Sequence, residues 1–370
     1  MRRLVSIDIL RAIAILLMIQ VHFVENLSPR EASSEILYQL SALFGLLSAP
    51  LFTFLVGLSL WLWLRKEEAL GNVGPEAGRF ILRRGLYLFA GGLIFAVIIW
   101  LPREVFDWDV LTLIGAATLI LLPLRRLRLG ALVGLALLVL LISTPLRGLT
   151  DYDSHWVDRE YVYQFTVKDV VLGFLLQGYF PLLPWLVYPV LGYATGEYFF
   201  KDGPEGYGVS WRMPLVGLAL IALAWAGHCL RWRFSPVFSG LDALSFYPAS
   251  MTFILWTLGW ILLGLWGMYR WLDSRDSPAE GPVLSFFGRY SRFSLTTYIV
   301  HHAVTIWPIL LLAALEGRGD PWWYYRDAVS TPVALLLALL FVAGFYVVLI
   351  FWDRRRKYSF EWFLRWLSSR

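Results

Sequence analysis

The chain has 370 residues, of which 58% are hydrophobic and only 16% charged, and its mean hydropathy is +0.63. A water-soluble fold would have too little polar surface to cover itself, so the composition indicates an integral protein of the lipid bilayer. The net charge of +5 does not indicate a nucleic-acid partner, because the basic residues gather at the ends of apolar runs instead of along one soluble face.

About ten apolar runs are long enough to cross a bilayer core, which takes about 20 residues of helix. They begin at Leu4, Ile36, Phe80, Val110, Leu129, Leu182, Pro214, Met251, Phe293 and Thr331. The run from Val110 is the shortest, so counts of about nine or about eleven remain open alternatives. We predict an all-α, polytopic transmembrane helix bundle of about ten spans.

Basic residues between the runs predict the orientation of the bundle, because cytoplasmic segments are enriched in Lys and Arg. With the N-terminus in the cytoplasm, most of these residues fall in the inner segments, including the clusters that begin at Arg65, Arg79, Arg125 and Arg354. The pattern predicts a multi-pass protein of the cell (cytoplasmic) membrane with both termini in the cytoplasm.

Two segments stand apart from the spans of the predicted transmembrane domain, residues 1–353. The outer segment 146–180 carries acidic, basic and aromatic residues followed by a short apolar stretch. We expect it to form a lid or a re-entrant piece, because long irregular connections are often functional. Residues 354–370 are a basic amphipathic tail, which we expect to contain an interfacial helix.

The first span carries three ionisable side chains at positions where lipid would disfavour them. Asp8 and Arg11 are three residues apart and can pair on one helix face, and His22 follows Arg11 after close to three full turns. The rise between Arg11 and His22 is about 16 Å, so one polar face joins the two halves of the membrane. The alternative interpretation is a structural ion pair, with the histidine reaching the outer surface.

A second polar face lies on the span that begins at Phe293, where Ser294, Thr297 and His301 recur at helical spacing. His302 is turned about 100° away from His301 on an ideal helix. We predict no metal site, because neighbouring helical positions diverge and neither an HExxH motif nor a cysteine pair accompanies the histidines.

The third span begins with a basic cluster formed by Arg79, Arg83 and Arg84. These guanidinium groups could hold the phosphates of a cytosolic cofactor, or they could simply fix the orientation of the helix. The sequence contains neither a phosphate-binding GxxxxGK[ST] loop nor a GxSxG nucleophile motif. ATP-driven transport and serine hydrolysis are therefore disfavoured.

The opening segment SIDILRAIAILLMIQVHF resembles the first span of type-3 membrane acyltransferases, in which an arginine precedes a histidine by eleven positions. Four later segments are similar to the narrower family of heparan-α-glucosaminide N-acetyltransferase-like proteins. They are RFILRRGLYLFAGGLI from Arg79, DVLTLIGAATLILL from Asp109, GYFPLLPWLVYPVLGYATGEYF from Gly178 and GRYSRFSLTTYIVHHAV from Gly288. The PLLPW sequence is the most specific of these features.

The resemblance implies a helix bundle that takes an acyl group, expected to be acetyl, from cytosolic acyl-CoA and delivers it to an acceptor at the outer face. We expect the acceptor to be a carbohydrate or another small molecule. The resemblance does not extend to the particular sugar that the family uses. By position, Arg11 and the Arg79 to Arg84 cluster would bind CoA phosphates or its pantetheine arm. His22 would be the catalytic base, and His301 matches the histidine of the late span, although it is doubled here by His302.

Acyl transfer from a thioester needs a deprotonated acceptor, a group that stabilises the oxyanion and the exclusion of water. We expect His22 to remove the acceptor proton, while Arg11, paired with Asp8, or a polar partner such as His301 stabilises charge or positions the thioester. A variant in which His22 itself carries the acyl group remains open.

Two other functional classes remain open as well. The first is a transporter in which Asp8, Arg11, His22 and His301 form a proton or solute pathway. The second is a structural membrane protein that has buried ion pairs and no turnover. The acyl group, the acceptor and the oligomeric state, with a homodimer among the alternatives, are not predicted by the sequence.

Overall fold

The computed structural model describes residues 3–72, 74–100, 104–157, 160–203, 206–234, 244–274, 281–317, 328–355, 357 and 359–369. These residues are overwhelmingly helical. The helices are α1 (Val5–Leu27), α2 (Ile36–Gly45), α3 (Ser48–Ala69), α4 (Pro75–Ile99), α5 (Val110–Leu124), α6 (Leu129–Gly148), α7 (Val167–Leu172), α8 (Leu182–Trp185), α9 (Val187–Phe199), α10 (Arg212–Phe234), α11 (Met251–Leu272), α12 (Pro282–Arg292), α13 (Ser294–Leu315), α14 (Thr331–Arg355) and α15 (Phe360–Ser369). The predicted all-α class is confirmed.

Nine segments of the described chain are long and apolar enough to cross a membrane. They correspond to nine of the predicted runs, and several are composite, since Ile36–Ala69 contains α2 and α3 and Val167–Phe199 contains α7 to α9. The run from Val110 forms a helix of 15 residues, about 22 Å long, which is shorter than a bilayer core. The chain is therefore an integral, multi-pass membrane protein.

The helices cluster into two compact units. We call the first the α1 unit; it comprises Val5–Phe52 and Asp276–Arg365. The second, the α4 unit, comprises Thr53–Arg275 with the few residues at the two chain ends. The α1 unit joins helices from the two ends of the chain, whereas the α4 unit is built mainly from one continuous stretch.

The α1 unit is organised around its first helix, which packs against α2, α12, α13 and α14. Small residues allow close packing: a Cβ at Gly45 of α2 would lie 2.6 Å from a methyl of Val21 in α1. Ala12, Ile15 and Ile19 of α1 are fully buried. The polar side chains of α1 therefore lie among neighbouring helices.

Two hydrogen bonds to Glu361 in α15 hold the start of α13. Glu361 of α15 accepts hydrogen bonds from the backbone N–H of Thr296 at 2.8 Å and from its hydroxyl at 2.6 Å. The first N–H groups of a helix have no partner within the helix, so Glu361 caps α13 from 65 residues away. The predicted helix in the tail thus forms, with exposed Phe360, Phe363 and Trp366; its interfacial location stays a prediction.

The α4 unit contains the paired helices α4 and α5, the paired helices α10 and α11, and the contacts of α6 with α8 and α9. Close helix approach again depends on glycine, since a Cβ at Gly57 of α3 would lie 1.8 Å from the Pro189 carbonyl oxygen of α9. Two short antiparallel hairpins complete the unit. They are β1 (Trp156–Val157) with β2 (Glu160–Tyr161), and β3 (Phe200–Gly203) with β4 (Gly206–Val209).

The segment expected to be a lid or a re-entrant piece has a defined structure. After α6 it forms a short 3₁₀ turn at Tyr152–His155, then the β1–β2 hairpin and α7. A π-helical turn at Gly173–Gln177 follows and leads towards α8. The stretch from Val170 to Leu176 is thus part of a longer broken helical segment, and the proposed lid role stays a prediction.

Candidate active site

A polar cluster forms around the N-terminal part of α1. The Arg11 Nη1 atom lies 3.4 Å from the Asp8 Oδ1 atom, so the predicted pair on one helix face forms. Ser291, the second-last residue of α12, joins the pair: its hydroxyl donates to Asp8 at 2.9 Å and accepts from Arg11 at 3.1 Å. Arg11 and Asp8 are only 24% and 13% exposed, which indicates that protein surrounds the two charges.

A cluster of three histidines forms near the other end of α1. The Nδ1 atom of His22 lies 3.0 Å from the Nε2 atom of His301, and the two rings are nearly coplanar, with an interplanar angle of 3°. His301 is fully buried and its Nδ1 atom lies 3.0 Å from the Thr297 carbonyl oxygen, while His22 is partly exposed. The predicted polar faces of the two helices therefore meet.

The hydrogen bonds define which nitrogen atoms carry protons. A carbonyl oxygen only accepts, so the Nδ1 atom of His301 must donate to Thr297. In a neutral His301 the Nε2 atom then has a lone pair, which accepts a hydrogen bond from the Nδ1–H group of His22. A neutral His22 consequently keeps the lone pair on Nε2, and this is the atom that can take a proton from another molecule.

The backbone of α13 positions His301 through local hydrogen bonds. The Thr297 hydroxyl donates to the Phe293 carbonyl at 2.7 Å, and the Thr305 hydroxyl donates to the His301 carbonyl at 3.0 Å. The Asn26 amide of α1 reaches the Thr305 hydroxyl at 3.4 Å. These contacts tie the histidine-bearing turns of α1 and α13 together.

His302 belongs to the same cluster, which differs from the prediction that it is turned away. Its ring centroid lies 4.5 Å from that of His22 and 4.2 Å from that of His301. Neighbouring positions do diverge by about 100° at the helix axis, but His22 lies opposite both positions and the two imidazoles lean towards it. The ring of Tyr298 covers the pair, with its centroid 5.6 Å from His301 and 5.0 Å from His302.

The three histidines are also a candidate set of metal ligands. One ring nitrogen from each of His22, His301 and His302 lies within 4.8 Å of the others. Imidazole is a good ligand for zinc and related cations, and three histidines can form an open catalytic site. The direct hydrogen bond between His22 and His301 uses a lone pair that such a metal would need, so metal binding would require that contact to break.

The predicted phosphate-binding arginines lie in the α4 unit. Arg79 is 62% exposed and approaches Glu76 at 3.8 Å, while Arg83 and Arg84 are partly buried on the next turn of α4. Arg125 extends this basic surface, since its Nη2 atom lies 3.7 Å from the position that a Cβ at Gly78 would occupy. The arginines are thus close together near the start of α4.

The structure brings together some of the predicted residues and adds others. Asp8 and Arg11 are in one cluster and His22 and His301 in another, both within the α1 unit. Sequence reasoning missed Ser291 and the part played by His302. The doubled histidine was a visible signal for the second of these, whereas a serine at the end of an amphipathic helix carries no distinctive signal.

Comparison with known protein families confirms the family resemblance that the sequence motifs indicate. The family model described as "Heparan-alpha-glucosaminide N-acetyltransferase, catalytic" matches residues 3–230, which is more than half of the chain. The matched part contains Asp8, Arg11, His22 and the arginines of α4, whereas His301 follows it. Among curated proteins, none matches the chain.

Proposed function

The chain belongs to the heparan-alpha-glucosaminide N-acetyltransferase family of membrane acetyltransferases, and from this premise we propose that it transfers an acetyl group from cytosolic acetyl-CoA to an amine or hydroxyl of a carbohydrate or other small acceptor. One observation supports the proposal above the others. His22 has a partly exposed ring whose orientation is set by His301 and, through it, by the Thr297 carbonyl. A positioned base of this kind can remove the acceptor proton in acyl transfer.

The proposed reaction uses the Nε2 atom of His22 as a general base. It removes a proton from the acceptor while the acceptor oxygen or nitrogen attacks the thioester carbonyl. The tetrahedral intermediate then collapses, the carbon–sulfur bond breaks, and the proton on His22 passes to the departing CoA sulfur. A neutral His302 keeps one N–H donor beside His22, and we assign to it the stabilisation of the oxyanion.

We assign Arg11 to binding of the acetyl-CoA donor and not to stabilisation of charge on the reacting carbonyl. It lies on the same continuous helix as His22, about 16 Å along the axis, so the two side chains do not reach the same atoms. An extended pantetheine arm bridges a distance of this order. We therefore propose that Arg11, held by Asp8 and Ser291, binds polar groups of CoA while the thioester lies near His22.

Binding of acetyl-CoA by the purified protein tests this proposal against transport. We expect binding in the absence of acceptor, and we expect the double substitution Arg83→Ala and Arg84→Ala to weaken it by about tenfold or more, because each lost charge-assisted hydrogen bond contributes about 1.5–3 kcal/mol. Isothermal titration calorimetry is the measurement.

The exposed Arg212→Ala variant of α10 is the matched control, with wild-type affinity expected. A folded protein that does not bind acetyl-CoA at all would contradict the acyltransferase and would favour a transporter. If Arg212→Ala weakened acetyl-CoA binding equally, the effect would be due to general surface charge. Such an effect decreases as the salt concentration rises.

Chelation tests whether the three histidines work through hydrogen bonds or through a metal. If His22 and His301 are joined by the direct hydrogen bond described above, dialysis against EDTA will leave the acetyl-transfer rate unchanged. A loss of activity that returns with added zinc would instead assign the cluster as a metal centre. Elemental analysis of the dialysed protein checks that the treatment was complete.

A further inference from the structure

The first turn of α15 is attached to the first turn of α13 within the α1 unit. The Thr296 hydroxyl accepts a hydrogen bond from the Phe360 N–H at 3.0 Å and donates in turn to the Glu361 carboxylate at 2.6 Å. The same carboxylate accepts from the Thr296 N–H at 2.8 Å. Three hydrogen bonds therefore converge on one residue of α13 from a helix that lies more than 60 residues later in the chain.

These contacts place the start of α15 at one surface of the membrane. Thr296 is the third residue of α13, and both α13 and the segment that contains α14 are long and apolar enough to cross a bilayer. Asp353, in the last turn of α14, pairs with Arg292 at the end of α12, so α14 ends at the surface where α13 begins. The four residues between Arg355 and Phe360 reach across at most about 18 Å. The start of α15 is thus held at this surface from both sides.

The side of α15 that points away from α13 is apolar. On an ideal helix Phe363 lies about 160° around the axis from Glu361 and about 60° from Phe360. Phe360 and Phe363 are 44% and 49% exposed, whereas Leu364, which lies nearer to Glu361, is 6% exposed. The helix therefore keeps one side on the protein and presents two phenyl rings to its surroundings. At a membrane surface those surroundings are the boundary between lipid headgroups and acyl chains.

Four exposed basic residues flank these rings in the chain: Arg354, Arg355, Lys357 and Arg365. The two nearby carboxylates are already engaged, since Asp353 pairs with Arg289 and Arg292 and Glu361 accepts from Thr296. Within the part of the chain that the structure describes, the four positive charges thus have no carboxylate partner. A molecule that combines an apolar body with a phosphate matches both the rings and the charges, and this is the chemistry of an anionic phospholipid.

The cap that α15 provides lies next to the turn that orients the histidine cluster. Thr297 follows Thr296, and its carbonyl accepts the hydrogen bond from the His301 Nδ1–H group at 3.0 Å. The first N–H groups of a helix have no partner within the helix, so an uncapped first turn opens more readily. The negative charge of Glu361 also matches the positive end of the helix dipole. The turn that orients His301 is therefore stabilised from α15.

We propose that the basic and phenyl side chains around the start of α15 bind anionic phospholipid headgroups, and that the bound lipid keeps Glu361 on the first turn of α13. The phenyl rings enter the headgroup boundary while the basic side chains contact lipid phosphates. The helix that carries His301 thereby responds to the charge of the surrounding membrane. This inference goes beyond acetyl transfer, because it requires neither the donor nor the acceptor.

Lipid binding by a double arginine variant tests the surface. Purified full-length protein without acetyl-CoA is titrated with phosphatidylglycerol or with phosphatidylcholine of the same chain length, and native mass spectrometry gives the affinity. We expect phosphatidylglycerol to bind about tenfold more tightly or better. Arg354→Gln/Arg355→Gln should weaken its binding about tenfold or more, because each basic residue near a membrane surface contributes about fivefold. The control Arg126→Gln/Arg128→Gln removes two exposed arginines from the α4 unit and should keep wild-type affinity.

Three results would overturn the lipid-binding surface. The first is equal affinity of the wild type for phosphatidylglycerol and phosphatidylcholine. The second is equal affinity of Arg354→Gln/Arg355→Gln and its control for phosphatidylglycerol. The third is full displacement of the lipid by inorganic phosphate at the same concentration, which would show that the arginines bind phosphate without needing the lipid body.

Hydrogen exchange at the start of α13 tests the coupling between the lipid and the cap. In nanodiscs that contain phosphatidylglycerol, the amides around Thr296 should exchange about fivefold more slowly than in phosphatidylcholine alone, since this is the usual effect of a helix cap. Glu361→Ala should lose this difference and still bind phosphatidylglycerol, because the basic residues and both rings remain. Glu361→Gln keeps an acceptor oxygen and should retain part of the difference.

Equal exchange of the wild type in the two kinds of nanodisc would overturn the coupling, as would an undiminished difference in Glu361→Ala. None of these measurements uses acetyl-CoA. A protein that transfers no acetyl group can still show both effects, and an active acetyltransferase can lack them, so this inference and the proposed function fail separately.

Discussion

His22→Ala is expected to lower the acetyl-transfer rate by about 10²- to 10⁴-fold, the usual contribution of a positioned general base. The substitution removes the Nε2 atom that we assign as the proton acceptor, and it does not touch the Asp8–Arg11 pair farther along α1. Binding of acetyl-CoA should therefore persist at close to wild-type affinity. The measurement is the single-turnover rate with labelled acetyl-CoA, together with the affinity for the donor.

Variants of two further histidines separate loss of chemistry from loss of stability. His155→Ala changes a partly exposed histidine of the 3₁₀ turn and should keep the wild-type rate. At His301 a glutamine retains an oxygen that can accept from the His22 Nδ1–H group, whereas a leucine does not, so the rate should fall much further in His301→Leu than in His301→Gln. A wild-type rate of acetyl transfer by folded His22→Ala protein would contradict the proposed mechanism.

Much of the helical architecture was predictable because lipid imposes length and hydropathy on every span. The exceptions have local physical causes. The run from Val110 has the right composition but forms only 15 residues of helix. The apolar segment that contains α9 begins at Val167 instead of Leu182, because it includes α7 and the π-helical turn at Gly173–Gln177. Hydropathy does not register such a turn, since its residues are as apolar as those of a regular helix.

The candidate site was predictable only where its geometry lies within one helix. The pairing of Asp8 with Arg11 follows from their spacing, and so does the common face of Arg11 and His22. The contacts of Ser291 with the first pair and of His302 with His22 depend on how α12 and α13 pack against α1, which no periodicity within a single helix specifies.

Asp8→Ala is expected to destabilise the protein by about 3–5 kcal/mol, because it leaves the Arg11 guanidinium charged among buried helices without its carboxylate. Removing both charges in Asp8→Ala/Arg11→Ala should recover most of that loss, since no buried charge then remains uncompensated. Thermal unfolding in detergent, followed by tryptophan fluorescence, compares the variants. Arg292→Ala is the control, because its pair with Asp353 is more exposed and should contribute less than about 1 kcal/mol.

The double variant also separates a structural ion pair from a donor-binding arginine. If Arg11 serves only to balance Asp8, the stable double variant will transfer acetyl groups at the wild-type rate. We expect instead that its affinity for acetyl-CoA falls about tenfold or more while His22 remains intact, because a charge-assisted contact to the donor is lost. Wild-type affinity for acetyl-CoA in a folded double variant would show that the Asp8–Arg11 pair contributes only to stability. Donor binding would then be assigned to the arginines of α4 alone.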